Sequence, residues 1–199
     1  MFSVDFGEIE HLQHSGDWEK LTEQMKDAAI RLERGGADFV LICTNTMHRM
    51  ADAVAEAINI PLLHIVDPTA EKIKAAGFDT VGLLGTAFTM EQDFYKGRLK
   101  DKFGLNVLIP ETNDRQIIHD VIYKELVAGE IHSDSRVAYR QIISRLVARG
   151  AQAIVLGCTE IMLLVLPEDS AVPLFDTTTI HATAAVNRAL APVADKISV

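Results

Sequence analysis

The sequence predicts an α/β protein of two similar lobes, each a parallel sheet flanked by helices. Two observations predict it. Short apolar runs alternate with longer amphipathic stretches along nearly the whole chain, and a helix, Gly-Ala, strand, Cys-Thr, strand pattern occurs twice. The runs are too apolar for one-sided burial, and strands buried on both faces belong to parallel sheets covered by helices.

Taken in order, strands are expected at Phe2–Phe6, Asp38–Cys43, Pro61–Ile65, Thr80–Leu84, Asn106–Ile109, Ala153–Gly157 and Pro173–Phe175. Amphipathic helices are expected near Asp17–Arg34, Met47–Ile58, Pro68–Ala76, Glu91–Phe103, Asp114–Ala128, Ser135–Arg149 and Thr179–Leu190. Asp67 before Pro68 reads as an N-cap followed by proline at the first helical position, and Asp114 and Ser133 as further N-caps. Gly35-Gly36 and Gly150 fall where helices end before strands.

The repeat sets Arg31-Leu32-Glu33-Arg34-Gly35-Gly36-Ala37 against Arg145-Leu146-Val147-Ala148-Arg149-Gly150-Ala151. Each leads through an apolar strand to Cys-Thr, at Cys43 and Cys158. Ile60-Pro61-Leu62-Leu63 then matches Val172-Pro173-Leu174-Phe175, both entering polar turns at His64 to Asp67 and at Asp176-Thr177. The register slips by one residue before the cysteines, which implies a divergent duplication. The second half opens on Val81-Gly82-Leu83-Leu84-Gly85-Thr86, and no equivalent strand precedes Phe2-Ser3-Val4-Asp5-Phe6. The expected division is a first lobe of residues 1–66 plus 177–199 and a second of 67–176.

Composition narrows the function. The formal net charge of −9 over 199 residues supplies no basic stripe for phosphates, so no nucleic-acid partner is expected. The longest apolar run, Ile161 to Leu166, stops at Pro167 and is far short of a membrane span. The first residues show no basic and apolar leader pattern, so no signal peptide is expected. Two cysteines in such a chain read as free thiols in the cytoplasm.

Both cysteines stand where an apolar strand meets a small polar turn, Cys43-Thr44-Asn45-Thr46 and Cys158-Thr159-Glu160. A thiol becomes a competent base when a helix start or donor hydroxyls lower its pKa. Hydroxyls, amides and backbone N–H groups in these turns suit a carboxylate, and Glu160 suits an ammonium. Two related thiols facing one small acid can invert its α-carbon without a cofactor: one removes the proton and the other returns a proton to the opposite face. A buried strand-end cysteine is otherwise merely a small hydrophobe.

Other candidates are weaker. Cys43 and His48 lie five apart and do not share a helix face cleanly, so no metal site is expected. His48, His64 and His181 read as packing histidines, and the remaining histidines as surface residues. Asp5 reads as a cap or turn residue, and Met47 and Met90 as packing. The Gly82-to-Gly85 turn lacks a third glycine at the dinucleotide-loop offset.

Three strings resemble the aspartate/glutamate racemase family, in particular its bacterial broad-specificity and Asp/Glu-specific branch: Cys43-Thr44-Asn45-Thr46-Met47-His48, Gly82-Leu83-Leu84-Gly85-Thr86-Ala87-Phe88-Thr89-Met90-Glu91 and Gly157-Cys158-Thr159-Glu160-Ile161. The resemblance spans essentially the whole chain. It implies cofactor-independent (PLP-independent) racemisation in a cleft between two pseudo-symmetric lobes. Cys43 and Cys158 match the catalytic pair. Asn45, Thr46 and Thr159 match residues that hold the substrate carboxylate, Thr86 and Thr89 match polar residues of the cleft, and Glu160 matches the acidic residue beside the second cysteine. The family's leading strand and Gly-rich turn have no counterpart ahead of Ser3. The expected partner is a small acidic or other amino acid, in a cytoplasmic homodimer of D-amino-acid metabolism. The alternatives are other two-cysteine chemistry (hydantoin racemase, maleate isomerase, malonate decarboxylase) or an inactive remnant that binds acidic amino acids.

Overall fold

A computed structural model describes residues 1–191. It is α/β, with two all-parallel sheets flanked by helices. Contacts group the chain into two units, Met1–Ile42 with Met47–His64, and Cys43–Thr46 with the chain from Ile65 onward.

The first unit opens on a helix. Phe2–Phe6 was expected as a strand, but residues 1–5 have no regular structure and α1 runs Phe6–Ser15. The apolar alternation there loses to capping. The Asp5 carboxylate accepts from the Glu8 backbone N–H at 3.1 Å, and Gly16 closes the helix at φ 76°, a left-handed conformation that glycine adopts without strain. Helix α2 (Trp18–Arg34) turns Leu21, Ala28 and Ala29 inward. Strand β1 (Val40–Leu41) follows, then a 3₁₀ turn over Thr46–Met50, α3 (Ala51–Glu56) and β2 (Leu62–Leu63), which pairs parallel to β1. The core of this unit gathers Ile9, Leu12, Leu21, Val40, Ile42, Met50 and Val54. His48 is buried with its ring 4.4 Å from that of His64.

The second unit carries the larger sheet. After α4 (Val66–Ala75) come β3 (Thr80–Gly85), α5 (Ala87–Glu91), α6 (Asp93–Phe103), β4 (Asn106–Leu108), α7 (Thr112–Lys124), a 3₁₀ turn over Leu126–Ala128 and α8 (Ser133–Ala148). Then follow β5 (Ala153–Gly157), α9 (Ile161–Leu164), a 3₁₀ turn over Pro167–Asp169, β6 (Leu174–Asp176) and α10 (Thr177–Leu190). The strand order is β4-β3-β5-β6. Every residue of β5 and all but Thr80 of β3 are buried, as the apolar runs required.

Several caps differ from expectation. Asp67 does not cap α4, which begins one residue earlier at Val66. Its carboxylate instead accepts two hydrogen bonds from Arg98 (2.6 and 2.7 Å) and one from Lys102 (2.8 Å), tying α4 to α6. Asp114 lies inside α7, where Arg145 of α8 holds it in a two-pronged ion pair. Ser133 is the first residue of α8, and His132 occupies its N-cap position. The expected helix Glu91–Phe103 begins at Asp93 as α6, because Gln92 is extended at ψ 152° and Glu91 closes the separate short helix α5. Helix α10, assigned from sequence to the first lobe with 177–199, packs here on α4, β5 and β6 in the second unit. Residues 192–199 lie outside the described residues. Among the described residues, no helix is long and apolar enough to cross a membrane.

Candidate active site

Strand order creates the site. From β3 the chain crosses to β4 on one side, then returns to β5 on the other. The carboxyl ends of β3 and β5 therefore flank a topological switch point, where open α/β sheets bind ligands. Gly85 and Gly157, the last residues of the two strands, pair across it.

These glycines decide what can approach. A Cβ on Gly85 would lie 2.8 Å from the Gly157 carbonyl oxygen and 3.1 Å from Thr89 Cβ. A Cβ on Gly157 would lie 2.8 Å from the Leu84 carbonyl oxygen and 3.4 Å from Thr89 Cγ2. Without side chains there, Thr89 rests directly on the strand ends. Its hydroxyl joins two others: Thr46 Oγ1 is 3.0 Å from Thr86 Oγ1 and 3.4 Å from Thr89 Oγ1, and the last two are 3.2 Å apart. Thr86 also caps α5, accepting from the Thr89 N–H at 3.3 Å. Three buried hydroxyls from two distant turns thus share one point.

A second connection joins the two cysteine turns. Thr177 Oγ1 donates to the Leu156 carbonyl at 2.8 Å, which spends its only proton. It must therefore accept from Asn45 Nδ2, 3.1 Å away. This fixes the amide of Asn45, two residues after Cys43, to the strand end two residues before Cys158. Asn45 is 2% exposed, and its Oδ1 has no hydrogen-bond partner among the described residues.

The two thiols have different surroundings. Cys43 is exposed and Cys158 is buried. Cys158 Sγ donates to Glu160 Oε2 at 2.9 Å. Burial, and then the neighbouring Glu160 carboxylate, push the Cys158 thiol well above the ordinary thiol range. Thiolate is the reactive form. Iodoacetamide at pH 8 is accordingly expected to label Cys43 at least ~10-fold faster than Cys158. Peptide mass spectrometry over a time course checks this, and equal rates would refute the asymmetry.

The structure thus brings Thr46, Thr86 and Thr89 into one hydroxyl cluster, Cys158 and Glu160 into a pair, and Asn45 against the β5 end. Thr159 is half-buried between Cys158 and Glu160. His181 is buried within α10. Thr177 was missed as a site residue. Its only sequence signal was the polar turn at Asp176-Thr177 after the second repeat.

The profile of the Asp/Glu/hydantoin racemase family matches residues 2–185. The chain belongs to that family. This racemase-family chain is 52% identical to a Yersinia pestis protein provisionally described as an Asp/Glu racemase. The structures superpose at TM-score 0.88, covering 96% of this chain and 83% of that one. It is 32% identical to an aspartate racemase homologue from Pyrococcus horikoshii, at TM-score 0.79 and coverage of 94% and 80%. Among curated relatives, the broad-specificity amino-acid racemase RacX of Bacillus subtilis is 25% identical over 182 residues, 88% of this chain and 75% of that protein. Against the Streptococcus suis glutamate racemases the match spans about half of their length, 46%.

Proposed function

We propose that this chain racemises a small acidic amino acid, aspartate or glutamate, by proton transfer between two thiols and with no cofactor. The observation that carries the reading is the Thr177 bridge, which fixes the Cys43 turn to the end of the strand that bears Cys158. In this reading the hydroxyls of Thr46, Thr86 and Thr89, with Thr159, donate to a substrate carboxylate. The unpartnered Asn45 Oδ1 accepts from the α-ammonium, since a buried acceptor without a partner calls for a donor.

The chemistry balances with these side chains alone. The Cys43 thiolate takes the α-proton, the C–H electron pair passes into the carboxylate, and hydroxyl donors stabilise the charge that develops there. Cys158, held as a thiol by burial and by Glu160, then protonates the opposite face. The enzyme ends with the two protonation states exchanged, and the reverse direction uses them as they then stand. Glu160 acts first on the thiol beside it, a role that competes with the ammonium contact its charge suggested.

The test incubates L-Asp, L-Glu and other L-amino acids with reduced protein in D2O, followed by chiral chromatography and mass spectrometry. D-product carrying one α-deuterium is expected. Folded protein that gives neither product nor exchange would refute the proposal.

A further inference from the structure

His119 stands on α7 and read in the sequence as an ordinary surface residue. It is instead half-buried, and its Nδ1 lies 3.2 Å from the backbone nitrogen of Ala87, which donates to it. Ala87 is the first residue of α5, directly after Thr86 of the hydroxyl cluster. A helix's first N–H groups have no partner within the helix. Here the Thr89 N–H goes to Thr86 Oγ1 and the Ala87 N–H goes to His119.

A backbone N–H can only donate, so Nδ1 must carry its lone pair and any ring proton must sit on Nε2. The ring is held in this attitude from two sides. Phe88 meets it edge-on at 6.0 Å between centroids, and Tyr123, one helical turn along α7, lies at 4.7 Å. Rotation to offer the other nitrogen would disturb both contacts.

We propose that His119 is a positioning residue for the substrate-binding turn: its unprotonated Nδ1 fixes the Ala87 N–H and thereby the placement of the Thr86 and Thr89 hydroxyls. The inference rests on the reading of those hydroxyls as carboxylate donors. Protonation of Nδ1 sets two N–H groups face to face and releases the turn. Carboxylate binding is then lost as pH falls through the range in which imidazoles gain a proton.

Of the other titratable groups on the elements around His119, Asp120 has its carboxylate held low chiefly by the Lys124 hydrogen bond, and it also feels the His119 charge. On α7 itself, Asp120 accepts from Gln116 at 2.8 Å and Lys124 at 3.0 Å, and Asp114 is paired with Arg145 of α8. On α5, Glu91 is paired with Arg115 at 2.7 Å. Buried Tyr139 of α8 donates to the Ile118 carbonyl, and Glu125 accepts from Ser135. Strand β3, which also packs on α7, carries no ionisable side chain.

The test compares the wild type with His119→Asn, whose Oδ1 can accept where Nδ1 did but cannot titrate, and with His119→Leu, which cannot accept. Two readouts are followed from pH 5 to 9: KM and kcat for aspartate racemisation, and the Ala87 amide signal in a ¹H–¹⁵N spectrum. In the wild type the Ala87 signal is expected to move with the His119 ring proton, and KM to rise on the acid side. His119→Asn removes that acid rise and holds the Ala87 signal steady. His119→Leu raises KM about tenfold at every pH, the equivalent of one lost hydrogen bond, with kcat changed far less. An Ala87 signal that ignores His119 titration, or a His119→Leu variant with wild-type KM and acid limb, overturns the proposal. Absent racemisation with an intact Ala87 titration refutes the racemase reading and leaves the His119–turn coupling standing.

Discussion

Cys158→Ser is expected to abolish inversion of the α-carbon while one enantiomer still exchanges its α-proton with solvent. Serine keeps a donor for the Glu160 carboxylate that now receives the Cys158 thiol, so the local hydrogen bond survives. It cannot serve as acid or base near neutral pH, and removing such a group costs ~10²–10⁴-fold in rate. The Cys43 thiolate can still remove a proton from the enantiomer presented to it and return deuterium to the same face. Mass spectrometry after incubation in D2O therefore shows α-deuterium without inversion in one enantiomer of aspartate and none in the other. Full racemisation by Cys158→Ser, or exchange of both enantiomers, would sink the two-thiol mechanism. The same variant tests the environment of Cys158. A folded-state thiol pKa raised above its unfolded value contributes stability that is complete below the unfolded value and lost as pH rises past it toward the folded one. From about pH 8.5 upward the wild type should lose up to ~1.4 kcal/mol per pH unit more than Cys158→Ser does. Denaturant midpoints at pH 7.5 and 10 measure that difference.

The largest stability loss is expected from Gly157→Ala. The added methyl meets the Leu84 carbonyl oxygen at 2.8 Å and Leu83 Cδ1 at 3.0 Å, at the buried carboxyl end of an inner strand of the parallel sheet. The first of these is backbone fixed by strand pairing, so it cannot turn aside as a flexible side chain would. Overpacking a core costs typically 1–3 kcal/mol, and a clash with sheet backbone belongs at the upper end, ~3 kcal/mol. For a chain of this size that lowers Tm by roughly 10 °C. Thr89 would also be displaced, so aspartate binding at a temperature well below Tm should weaken along with stability. A Gly157→Ala protein with unchanged Tm would show that the strand ends are looser than the Gly85–Gly157 pairing implies.

The second unit was the more legible of the two. Strands β3 and β5 are buried on both faces, and that alone made Thr80–Leu84 and Ala153–Gly157 readable as continuous apolar runs. Phe2–Phe6 was misread because its alternation imitates a strand, while the signal that wins is a single capping carboxylate at Asp5. Asp67-Pro68 is a good helix-start signature, yet the partners that claim Asp67 lie 31 and 35 residues away, beyond any local pattern. In the site, both Cys-Thr turns and the Thr86–Thr89 turn were visible as strand-end motifs. What joins them was not. Thr177 looks like any helix-start threonine, and His119 like any exposed helical histidine, until the sheet places Leu156 and Ala87 beside them. Glu160 was readable as an acidic neighbour of the second thiol, but not as the acceptor of its proton.

The Asn45–Thr177 hydrogen bond joins residues 132 positions apart. It therefore cannot form until the chain has been made through residue 177. The Cys43 turn is made well before the threonine that orients its amide, which directly follows β6 in the chain. A nascent or prematurely ended chain stopping before residue 177 would carry both thiols with the Asn45 amide free to rotate. Such fragments hold both thiols without the contact that fixes the Asn45 amide.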